Sequence, residues 1–84
     1  MERMELLERL ERVERQIAHD TELIASQRKV LADLSGKGVD NDAIQIMLAG
    51  LENLLVVHLQ EREKLRAQIA ELDSSSQGPQ SSDR

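Results

Sequence analysis

The sequence contains no cysteine, tryptophan, tyrosine or phenylalanine, and a single proline among its 84 residues. Without cysteine there is neither a disulfide framework nor a zinc-thiolate site. Without aromatic rings the chain lacks the side chains that most often anchor small interfaces or stack on single-stranded bases. A basic patch is also missing. Lysines and arginines are interleaved with acids, the net charge is -5 and the pI is about 4.9, so a phosphate backbone is repelled and no nucleic-acid partner is expected. The start "MERMELLERL" carries a charge at every second or third place, unlike the apolar core of a signal peptide. No uninterrupted apolar run nears the ~20 residues that cross a bilayer. The expectation is a cytoplasmic protein with no membrane partner. One domain is the most that such a chain holds, and a core of this size is marginal unless association extends it.

What is present is helical rhythm. From Glu2 to Leu34 the apolar residues Leu6, Leu10, Val13, Ile17, Ile24, Leu31 and Leu34 recur at helical spacing, with Leu23 and Val30 widening the stripe. In heptads, Leu10, Ile17, Ile24 and Leu31 take the a positions; Leu6, Val13, Asp20, Gln27 and Leu34 take the d positions. Glu5 and Arg9, Glu8 and Arg12, and Glu11 and Arg15 stand four apart with the acid first. That order favours a helix by a few tenths of a kcal/mol per pair.

"SGKGVDNDAI" interrupts and restarts the pattern. Gly36 is the expected left-handed stop, Asp40 the expected cap, and Val39 a residue able to staple onto Ile44. The stretch lacks the spacing, the preceding strand and the following Ser or Thr of a nucleotide-binding loop, so it reads as a helix-helix turn. The second helix has the seam Ile44, Leu48, Leu51, Leu55, His58, Arg62, Leu65, Ile69 and Leu72, flanked by Ile46, Met47, Leu54, Val57 and Leu59. Between Ile44 and Leu59 more than half of its circumference is apolar, which one neighbouring helix cannot cover. The fold class expected is therefore all-α: an antiparallel, coiled-coil-like two-helix hairpin over residues 1–73 (helix 2–34, turn 35–40, helix 41–73). It is expected to dimerise into a four-helix bundle through Ile46, Met47, Leu54 and Val57. Residues 74–84, "SSSQGPQSSDR", have no large apolar side chain and are expected to form a disordered Ser-rich tail.

Four polar residues occupy seam positions: Asp20, Gln27, His58 and Arg62. With the turn centred near Gly38, levels pair when residue numbers sum to about 77. His58 then lies beside Asp20, Arg62 can reach Asp20 or Gln16, and Gln27 stands level with Gly50, whose missing side chain leaves it room. Buried polar residues in such seams commonly fix register and oligomer state at a cost in stability. On that reading, replacing His58 by leucine preserves or raises helix stability. Histidine also changes charge near physiological pH, which makes His58 a possible pH-responsive element. "HDTE" and "HLQE" each put a glutamate three after a histidine at matching heights, but at ~100° per residue His19 and Glu22 point away from the stripe that His58 joins. No metal, cofactor or catalytic residue is expected.

The segment from Ile17 to Leu72 resembles small proteobacterial helical-hairpin proteins of unknown function. They share an "I…QR…L" first helix, a glycine turn and an "H-x-x-x-R" second helix, matched here by Ile24, Gln27 and Arg28, by Gly38, and by His58 and Arg62. The resemblance implies a bacterial cytoplasmic hairpin and no biochemical activity. The function expected is that of a non-enzymatic protein-protein interaction module, a small bacterial regulator or adaptor acting as a homodimer, with an unidentified protein as a further partner. The alternative is a ligand- or metal-binding four-helix bundle using His58, Arg62 and Asp20.

Overall fold

A computed structural model describes residues 2–82, with side chains through residue 75. Helix α1 runs Glu2–Gly36 and α2 runs Asp42–Ser82, and the two pack along each other as a hairpin. The molecule measures 71 × 19 × 14 Å, with a radius of gyration of 19.8 Å. A compact chain of this length would have about 12 Å. Its form is a rod with a single internal seam.

The turn has a definite chemistry. Lys37 N–H donates to the Leu34 carbonyl at 3.1 Å, Gly38 N–H to that of Ser35 at 3.2 Å, and Val39 N–H to that of Leu34 at 3.1 Å. Paired six-to-one and five-to-two bonds of this kind close a helix around a left-handed residue. That residue is Gly38, with φ 71°, and not Gly36, which remains the last residue of α1. The correction has a simple cause: the helix keeps its hydrogen bonds for one more turn and needs positive φ only where the chain departs. Asp40 does cap the next helix, its Oδ1 accepting from Asp42 N–H at 3.1 Å, while the Asn41 carbonyl accepts the first helical bond from Gln45 N–H at 3.0 Å. Asn41 also spans the turn, donating from Nδ2 to Ser35 Oγ at 2.7 Å and accepting from Gln45 Nε2 at 2.7 Å.

The interior is small. Leu6, Val13, Ile24, Leu48 and Leu65 are the buried apolar residues, and Asp20 is the buried polar one. Leu6, Val13 and Leu65 form a cluster with Leu10, Ile69 and Leu72 packed against it, so the half of the rod remote from the turn has a sealed core of its own. The half near the turn has little besides Ile24 and Leu48. There Val30, Ile46, Met47, Leu54, Val56 and Val57 are 39–73% exposed.

Two expectations about boundaries change. α2 is helical through Ser82, past residue 73, and Leu72 and Asp73 are the last half-buried residues among those whose side chains are described. The expected disorder over 74–84 therefore differs from the backbone found as far as Ser82, and residues 83–84 lie outside those described. Secondly, no uninterrupted apolar run nears the ~20 residues that cross a bilayer, yet α2 between Asp42 and Ser75 is long and apolar enough, by length and composition, to cross a membrane, with little of its apolar stretch buried.

The two turn glycines should respond oppositely to alanine. At Gly38 a side chain meets no neighbour but must adopt φ 71°, a left-handed conformation that costs about 1–2 kcal/mol. Gly36 is helical with nothing within 4 Å of an added Cβ, so alanine there gains roughly 0.5–1 kcal/mol. Thermal unfolding should therefore show Gly38→Ala lowering and Gly36→Ala raising the midpoint.

Candidate functional site

The polar gap in the seam is the one place where the two helices meet through buried charge. α1 delivers Asp20 from a d position between Val13 and Ile24, and α2 delivers His58 at the same height, as the pairing of levels requires. Their side chains meet at 2.5 Å, His58 Nδ1 to Asp20 Oδ2, with the side chains 16% and 4% exposed. An ionised carboxylate only accepts, so Nδ1 carries the proton and donates. The second nitrogen, Nε2, is left for the groove beside it.

Arg62 does not join them. Its Nε is buried without a hydrogen-bond partner, and the nearest carboxylate is Glu63 at 3.8 Å, on its own helix. The expected reach to Asp20 or Gln16 is absent: Asp20 meets His58 through Oδ2, and Gln16 is exposed on α1. Gln27 is half buried, but Gly50 does not make room for it: nothing lies within 4 Å of a Cβ built at Gly50, which faces open space. The level was right and the azimuth was not. Gly50 sits on the side of α2 that carries Met47, Leu54 and Val57, away from the seam.

Ion pairs bind the two flanks of the seam unequally. On one flank Arg3 pairs with Asp73 at 2.9 Å, Glu14 with Arg66 at 3.3 Å and Arg28 with Glu52 at 2.6 Å, three cross-helix links spread along the rod. On the other flank the cross-helix link is Arg9 to Glu61 at 3.8 Å. Of the three expected pairs within α1, Glu11 to Arg15 is formed, at 3.3 Å; Arg9 turns to α2 instead. Each such exposed pair contributes little, about 0–1 kcal/mol. Their consequence is geometric: one flank is laced, while the other opens into a groove lined by Arg12, Arg15 and His19 of α1 and by Leu54 and His58 of α2, with Asp20 at its floor.

Ile46, Met47, Leu54 and Val57, the residues expected to cover a second hairpin, are 73%, 50%, 43% and 56% exposed. Leu54 links this strip to the basic groove. Among the described residues no group of three or more histidine, aspartate or glutamate side chains is placed to hold a metal ion. Sequence reasoning found Asp20, His58 and the apolar strip. It missed the groove, because the unequal lacing that creates it depends on which rotamers the surface arginines adopt. Compared with known proteins, the chain matches no family model, no curated protein and no solved structure.

The Asp20–His58 contact changes the expected outcome of a substitution. His58→Leu alone strands a carboxylate that is 3% exposed as a residue, so it should destabilise the hairpin by about 3–5 kcal/mol, the cost of breaking a buried pair. Replacing both residues by leucine should recover most of that loss. A double-mutant cycle in urea checks this through a coupling of about 2–3 kcal/mol, above the about 0–1 kcal/mol that surface pairs give.

Proposed function

We propose that this chain is a non-enzymatic interaction module that works as a homodimer, two hairpins forming a four-helix bundle, in the role of a small bacterial cytoplasmic regulator or adaptor. The observation that carries this reading is the apolar face left open near the turn, where Ile46, Met47, Leu54 and Val57 lie side by side on α2 with Val30 beside them on α1. Exposed apolar surface this continuous marks an association site. The buried Asp20–His58 pair has the register-fixing role that polar residues play in helical seams.

Light scattering on the full chain at micromolar concentration tests the reading. Twice the chain mass is the expected result, and Leu54→Lys with Val57→Glu should return it to one chain without loss of helicity, because both side chains are exposed in the hairpin. A well-folded single chain in the unaltered protein would overturn it.

A second reading, a ligand- or metal-binding bundle using His58, Arg62 and Asp20, is favoured on its ligand side by one observation, the partnerless buried Nε of Arg62, a cationic donor that suits an anionic group and not a metal ion. Divalent-metal titration followed by thermal unfolding separates the two. Stabilisation by zinc that His58→Ala abolishes would support the second reading, and an unchanged midpoint the first. The apolar stretch of α2 supplies a third outcome: co-sedimentation of the chain with phospholipid vesicles in place of self-association would assign the open face to a bilayer.

A further inference from the structure

The open face is uneven along the rod, and that unevenness limits how a second copy can sit on it. On α2 the strip Met47, Gly50, Leu54 and Val57 is centred near residue 52, and on α1 Leu23 and Val30 are centred near residue 26. Since Asp20 stands level with His58, these two centres stand at one height. Toward the remote end the same flank turns polar, with Arg9, Glu61, Gln68 and Glu71, over a core already sealed by Leu6, Val13 and Leu65. That end has nothing to gain from cover.

Charge is distributed unevenly too. The turn carries Asp33, Asp40 and Asp42 against one lysine, Lys37, which is held by Asp33 at 3.2 Å. Arg12, His19 and Lys64, flanking the strip on its other side, form no ion pair among the described residues.

We infer that a second copy packs on this face antiparallel, the two turns at opposite ends, about a twofold axis near residues 26 and 52, so that the acidic turn of each hairpin enters the basic groove of the other. This rests on the dimer reading above. A twofold at that height sets apolar strip on apolar strip, with Gly50 of one copy beside Leu54 of the other, where an absent side chain permits close approach. It brings Asp40 and Asp42 of each turn level with Arg12, Arg15 and Lys64 of the other copy, and with Glu61, whose charge Arg9 offsets at 3.8 Å. Both sealed polar ends then project into solvent. The alternative, with both turns at one end, sets the two acidic turns side by side with Lys37, already held by Asp33, as the one cation of each turn, and buries the polar ends against each other. Like-charge juxtaposition and desolvated polar surface both oppose it.

Because the chain has no cysteine, single-cysteine variants can carry spin labels at unique positions. Lys37→Cys at the turn and Gln68→Cys toward the far end are both exposed. In the antiparallel dimer the Lys37→Cys labels lie roughly 40 Å apart and the Gln68→Cys labels roughly 50 Å, from a 1.5 Å rise on each side of the axis. With turns together both pairs lie within roughly 20 Å, set by helix-helix spacing. Two long distances in pulsed electron resonance are the expected result. Two short ones would overturn the antiparallel arrangement and leave the homodimer intact, whereas a monomer mass would remove both. The groove contact has its own check. Arg12→Asp and Asp42→Arg should each weaken dimerisation at low salt about threefold or more, and their combination should restore it; additive weakening would overturn that contact.

Discussion

Two helices lying side by side share one seam, and everything about this chain follows from how little that seam can hide. A helix in a bundle of four meets two neighbours and can bury an apolar stripe well over 100° wide; in a lone hairpin it meets one. α1 is matched to that limit, since its large apolar residues other than Met4, Leu7, Leu23 and Val30 keep to the a and d rows. α2 is not. Near the turn its apolar residues occupy both sides of the seam, and the surplus stands in solvent. The seam is satisfied where Leu6, Val13 and Leu65 close it and unsatisfied where Ile46, Met47 and Val57 leave it open.

The Asp20–His58 pair sits between these two regimes. On one side of it lies the sealed cluster, on the other the open face, and its own edge forms the wall of the groove. A buried pair of this kind is weak evidence of stability, because two well-packed leucines would hold the helices at least as firmly. Its value lies in discrimination. A slip of the hairpin by one helical turn separates the pair: in one direction Asp20 comes level with Leu54 and Leu55, and in the other His58 comes level with Ile24, so either slip strands a buried polar group, at about 1–3 kcal/mol. In a chain without aromatic rings, whose aliphatic seam would accept several registers, that penalty selects one. The loop bonds around Gly38 select the same one locally, so near and distant constraints agree.

The hairpin was legible in the sequence for the same reason that it forms. Periodicity reports which residues face the seam, and level pairing across a short turn follows from helical rise, so Asp20 opposite His58 could be read from residue numbers alone. What depends on azimuth or rotamer could not. Gly50 was legible in height but not in direction. The Nε of Arg62 was expected to reach Asp20 or Gln16 and reaches neither. The left-handed residue was assigned two positions early, because Gly36 and Gly38 are equally permissive and only the hydrogen bonds of the last helical turn distinguish them. The loss of apolar residues after Leu72 reports where packing can end, but it carries no information about where a helical backbone ends.

The unequal lacing of the flanks bears on specificity. Arg3–Asp73, Glu14–Arg66 and Arg28–Glu52 lie along one side of the seam and fill it with paired charge. A second hairpin approaching there would have to desolvate six ionic side chains, whose hydration is worth more than the pairing it leaves in place. The opposite flank presents aliphatic surface, a glycine and cations without partners. These surface pairs stabilise the hairpin only slightly, yet they decide which side of it another helix can approach. Charge that is weak as a bond is thus effective as a barrier, and it leaves the apolar flank of α2 as the face on which assembly costs least.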